Sequence, residues 1–138
     1  MIRVAALLVV AAPVSADSFL VCRAETRCET PCTAYGECGE PSCRIVIDEI
    51  EAKVAIDRTV EGDVLRMSSD DPIAVVEIED PYAEWFPDTG PNLTWVEVDD
   101  AGPLALVYTP STGVFVLGFE LYDRNVDYFG TCAQPARS

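Results

Sequence analysis

The chain has 138 residues and a formal charge of −15, from 24 Asp and Glu against nine Lys and Arg, with no histidine. That length fits one domain with a sizeable core. The charge argues against nucleic acid or an anionic membrane as partner, and the missing histidine removes the commonest general base together with Ser-His-Asp and Cys-His nucleophile systems.

Residues 1–16, MIRVAALLVVAAPVSA, read as a signal peptide: Arg3 is a short basic region, 4–12 an apolar run, and Val14-Ser15-Ala16 a small-residue cleavage site. The run is too short to span a bilayer as a helix, which needs about 20 residues. The expected mature protein is therefore a single domain, 17–138, secreted or periplasmic and without a membrane anchor.

Next comes CRAETRCETPCTAYGECGEPSC, which holds Cys22, Cys28, Cys32, Cys38 and Cys43, five of the six cysteines. The sixth, Cys132, lies near the other end. An even cysteine count in an exported chain points to disulfides. Cys28-x3-Cys32 and Cys38-x4-Cys43 fall within permissive zinc spacing, but there is no C-x2-C pair and no histidine to complete a site, and a thioredoxin-like redox motif is likewise missing. No metal and no cofactor are expected. Six cysteines allow about 15 pairings and sequence does not choose among them. The preferred scheme nests Cys32–Cys38 inside Cys28–Cys43, with Cys22 reaching Cys132.

From there the pattern is one short strand after another, at 18–24, 44–50, 52–58, 63–68, 73–79, 93–98, 104–109, 114–122 and 126–132, rich in Val, Ile and aromatics. Turn residues separate them, as in Glu61-Gly62-Asp63, Pro110-Ser111-Thr112-Gly113 and Asp123-Arg124-Asn125. Only 82–86 reads as a short helical piece. Alternation places Phe115, Leu117, Phe119 and Leu121 on one face. Eight or nine short strands with tight turns predict an all-β fold, a small antiparallel meander barrel stapled by disulfides, with a two-sheet β-sandwich as the alternative.

The acidic residues cluster at Asp48-Glu49-Ile50-Glu51, Glu77-Ile78-Glu79-Asp80 and Glu97-Val98-Asp99-Asp100. In the last two, alternation predicts a charged outer face. None matches a calcium loop. Without a nucleophile motif, a phosphate-cradling loop or a metalloprotease signature, the chain reads as a non-enzyme. The segment most like a site is EDPYAEWFPDTGPNLTW, which gathers Tyr82, Trp85, Phe86 and Trp95 among prolines and so makes a candidate binding loop. The expected partner is a basic exported protein, or a small apolar ligand held inside the barrel, and the expected state is monomeric.

The opening cysteines, the β-rich middle and the closing YFGTC (Tyr128 to Cys132) resemble the uncharacterised small exported cysteine-containing β proteins of alphaproteobacteria. In layout the chain is more distantly similar to the periplasmic inhibitors of c-type lysozyme, small barrels with a disulfide near the C-terminus. Those present a Ser-rich loop and a Tyr/Lys-Gly stretch to the enzyme. Here the corresponding stretch is YTPSTGVF (Tyr108 to Phe115), without the Lys-Gly. That similarity implies an inhibitor of a basic secreted enzyme.

Overall fold

The structure, a computed structural model, describes residues 18–67, 71–79, 92–98 and 104–133. Its elements are β1 (Ser18–Pro31), β2 (Ser42–Ile45), α1 (Glu49–Ala52), β3 (Lys53–Thr59), β4 (Gly62–Met67), β5 (Ile73–Ile78), β6 (Leu93–Glu97), β7 (Leu104–Thr109), β8 (Val114–Glu120) and β9 (Arg124–Ala133). Each strand from β3 to β9 pairs antiparallel with the next, β3 pairs with β1, and β9 returns to β1 along its length. The result is a closed eight-strand barrel with β2 as a ninth strand against β1. It is the barrel, not the sandwich.

Alternation is what fills the barrel. Leu20, Cys22 and Ala24 of β1, Val54 and Ile56 of β3, Leu104, Leu106 and Tyr108 of β7, and Phe115 and Leu117 of β8 all point inward and are buried in one cluster. Each such aliphatic or aromatic side chain contributes about 1.5–3 kcal/mol by leaving water. Leu121 keeps the parity of Phe119 but lies past the end of β8 and is exposed, so the inward face stops one position earlier than the alternation predicts.

Two elements differ from expectation. β1 runs on to Pro31 instead of stopping at residue 24. Its second half, Glu25-Thr26-Arg27-Cys28-Glu29-Thr30, has no apolar alternation, and it is a strand because β9 pairs with one edge and β2 with the other. A bulge opposite Phe129 and Gly130 shifts the alternation, so Arg27 and Glu29 fall opposite the inward Tyr128 and Val126. Gly130 is required at this crossing: a Cβ there would lie 2.0 Å from the Arg23 carbonyl oxygen and 2.9 Å from the Phe115 ring.

The expected strand at 44–50 ends at Ile45, and α1 replaces its second part. β2 and β3 lie end to end on the same edge of β1, and the chain between them bulges out as one helical turn. Asp48 starts that turn by accepting from the Ile50 N–H at 2.8 Å. Ion pairs from Glu49 to Arg23 at 2.6 Å and from Glu51 to Arg44 at 2.7 Å hold it down, while Val46 and Ala52 enter the core. The helical piece expected at 82–86 lies outside the described residues.

The disulfides are Cys22–Cys132, Cys28–Cys43 and Cys32–Cys38, the nested arrangement. The first two join residues directly opposite in the β1–β9 and β1–β2 registers, and the third closes a short loop beyond β1. That loop and the β8–β9 turn sit at one end of the barrel, hereafter the stapled end; the β3–β4 and β7–β8 turns are at the other.

The charged outer face expected on β5 and β6 is reversed. Glu77 shares the parity of buried Val75, and Glu97 that of buried Trp95, so these carboxylates sit at the rims of the core side. The outward positions are Val76, Ile78 and Val96.

Candidate functional site: a cleft at the stapled end

The stapled loop is built from its own short-range bonds. Thr33 accepts from Gly36 N–H through its carbonyl at 3.0 Å and donates its N–H to the Glu37 carbonyl at 2.8 Å. Its hydroxyl oxygen accepts from the N–H groups of Tyr35 and Glu37, each at 3.2 Å. The Cys32–Cys38 bond locks this ring, and the Cys32 N–H donates to the Asp123 carbonyl at 3.0 Å, fixing the loop against the β8–β9 turn. The turn is closed by Leu121 N–H to Arg124 carbonyl at 2.7 Å.

Between the two lies a cleft of about 440 Å³, lined by Cys32, Thr33, Ala34, Glu120, Tyr122 and Asn125 among others. Tyr35, at the middle of the loop, is 93% exposed, and Tyr122 is 91% exposed. A smaller depression of about 170 Å³ continues past Glu120 and Asn125 onto the outer wall, over Ala105, Gly118 and Asp127. Gly118 lets the Asp127 carboxylate lie over the strand there: a Cβ would come 2.8 Å from Asp127 Oδ1. Burial pushes the Asp127 carboxyl above its usual range, and among the described residues no arginine or lysine pairs with it.

Beside this cleft runs a chain of paired charges. Arg44 binds Glu51, Glu51 accepts from the Tyr128 hydroxyl at 3.3 Å, and Arg27 donates to that hydroxyl at 3.3 Å. Arg27 pairs with Glu29 at 2.9 Å, and Arg124 reaches both Glu29 at 3.7 Å and Asp123 at 3.0 Å. Arg44 lowers the Glu51 carboxyl below its usual value. At the opposite end Arg58 lies over the Phe19 ring, 3.8 Å from its centroid, and pairs with Asp63 and Glu77.

Of the residues proposed as a binding loop, Tyr82, Trp85 and Phe86 lie outside the described residues. Trp95 belongs to β6 and is wholly buried: its indole N–H donates to Asp63 at 3.0 Å and its ring meets Phe19 edge-on at 6.0 Å. It is core, not loop surface, because its alternation partner Leu93 and neighbouring strands put it inside the barrel. Tyr108 and Phe115, which bound the YTPSTGVF stretch, are buried as well, so its turn and the outward Val114 are what reach the surface. The acidic cluster at 48–51 is spent on the cap and ion pairs of α1, and no group of metal-ligating side chains occurs among the described residues.

Sequence reasoning missed Tyr35, Tyr122 and Asp127. The signals were present: a tyrosine before glycine inside the tightest cysteine loop, another opening an Asp-Arg-Asn turn, and a lone acid in an apolar strand. A rimmed cleft with carboxylate acceptors and exposed aromatic rings is equipped to recognise a cation. No family model, no curated protein and no solved structure matches the chain.

Proposed function

We propose that the protein is an exported, non-enzymatic binding protein, monomeric, that takes a basic protein as its partner in the periplasm or outside the cell. The observation that carries this is how the charge is distributed. Every arginine among the described residues, Arg23, Arg27, Arg44, Arg58, Arg66 and Arg124, is already held by a carboxylate of the same fold. Glu37, Glu40, Asp71 and Glu120 are exposed and have no ion pair among the described residues, so their negative charge faces solvent uncompensated there. Such a surface steers and holds a basic partner.

Three disulfides are consistent with an oxidising compartment, and the leader-like residues 1–16 supply the route to it. The apolar-carrier alternative has less support, since Trp95, Phe115, Leu106 and Leu117 occupy the barrel interior and an eight-strand barrel holds its own side chains or one small ligand.

Binding to immobilised Arg/Lys-rich peptides, with Glu-rich peptides as control, tests the reading. Affinity should fall about tenfold or more between about 20 and about 300 mM salt. Affinity indifferent to salt, or equal for the acidic control, contradicts it.

A further inference from the structure

We infer that the stapled end is the recognition surface, and that it takes an arginine side chain of the partner into the depression over Asp127, with the adjoining partner backbone lying in the cleft between the stapled loop and Tyr122. This rests on the basic-partner reading and gives it a place and a side chain.

Four observations meet there. The cleft and the depression share Glu120 and Asn125, so they form one continuous groove. One end of that groove is lined by the nearly fully exposed Tyr122, with Tyr35 on the adjoining stapled loop, on backbone fixed by the Cys32–Cys38 bond and the Cys32–Asp123 hydrogen bond. Tyrosine offers contact area at low entropic cost, and a preorganised loop reduces it further. At its other end the Asp127 carboxylate lies over Gly118, where any Cβ would come 2.8 Å from its Oδ1, and lines the depression. Finally, Arg124, three residues before Asp127 on the same strand, is already engaged by Glu29 and Asp123.

Asp127 is thus a half-buried carboxylate with no cation of its own, and desolvation raises the cost of its charge. An incoming guanidinium would offset that cost. Arginine suits the depression better than lysine, because its planar fork can bond the Asp127 carboxylate and the Asn125 amide oxygen together, whereas an ammonium is a hydrated point charge.

The test uses the full chain with its disulfides intact and a labelled peptide, Arg-Gly-Arg-Gly-Arg, with its lysine counterpart. NMR shifts should localise to residues 118–127 and the stapled loop. Asp127→Asn and Tyr122→Ala should each weaken arginine-peptide binding about tenfold, while Glu61→Gln, which removes one charge at the opposite end, should change it less than about twofold. Gly118→Ala, which pushes into the Asp127 carboxylate, should weaken binding as well. Unfolding midpoints within a few degrees of wild type would show that the variants fold. If Asp127→Asn and Glu61→Gln weaken binding equally, or the lysine peptide binds as well as the arginine one, the groove assignment falls while the basic-partner reading stands. If the unmodified protein binds neither peptide, both fall.

Discussion

A missing side chain at Gly130 is what lets β9 close against β1 at the bulge. Any Cβ would collide with the Arg23 carbonyl, which is backbone and cannot turn aside. Gly130→Ala should therefore cost about 3 kcal/mol or more, at the upper range of overpacking substitutions, and chemical denaturation measures it; a loss below about 1 kcal/mol would mean that the strands separate freely there. Charges at single residues act in opposite directions with pH. Burial opposes the Asp57 charge, but the bonds from Arg66 and Ser18 outweigh it and hold the carboxyl below its usual range. A depressed carboxyl adds stability that is present above its unfolded value and lost as pH falls through the folded one. Asp127 is raised, so its ionisation weakens the fold at neutral pH and the penalty disappears in acid. Asp57→Asn should lower the thermal midpoint at neutral pH and Asp127→Asn should raise it, both differences shrinking below the ordinary carboxylate range. An Asp127→Asn variant that is stabler and yet binds arginine less well has the signature of a site residue and not of a structural one.

At the scale of elements, the three staples close loops of very different size. Cys22 and Cys132 are 110 residues apart, Cys32 and Cys38 only six. By loop entropy the first is worth about 5 kcal/mol and the last about 2 kcal/mol. Replacing Cys22 and Cys132 together by Ala should lower the unfolding midpoint clearly more than replacing Cys32 and Cys38; equal midpoints would contradict it. The strands that sequence makes legible are those with a clean period of two, such as β7 and β8, where burial alone sets the face. The second half of β1 was hidden because its partners are supplied by two other strands, not by its own side chains. α1 was hidden because the buried residues on either side of its start, Val46 before it and Ala52 at its end, are apolar like those of the strands it interrupts. The face of the β5 and β6 acids is not legible in sequence, because alternation fixes that two residues share a face, not which face meets the core; buried Trp95 decides it. The groove was illegible for a plainer reason: it needs the stapled loop and the β8–β9 turn side by side, a contact made by Cys32 and Asp123 far apart in the chain.

On the scale of the whole molecule, the barrel is filled with its own side chains, so the binding role proposed above falls to its surface, and a fold that pairs its described arginines internally leaves that surface with carboxylates in excess. The loss of water around apolar groups holds the barrel together; the Cys22–Cys132 bridge ties its first strand to its last, and Cys32–Cys38 fixes the loop that borders the groove. Both halves of this account depend on export, since the staples form and persist only in an oxidising compartment. Intact-mass spectrometry of the protein purified from its own host's exported fraction tests that directly. The account predicts a chain beginning near Asp17, lighter than its reduced form by about 6 Da for three closed bridges. A chain that keeps residues 1–16, or gains no mass on reduction, would contradict it.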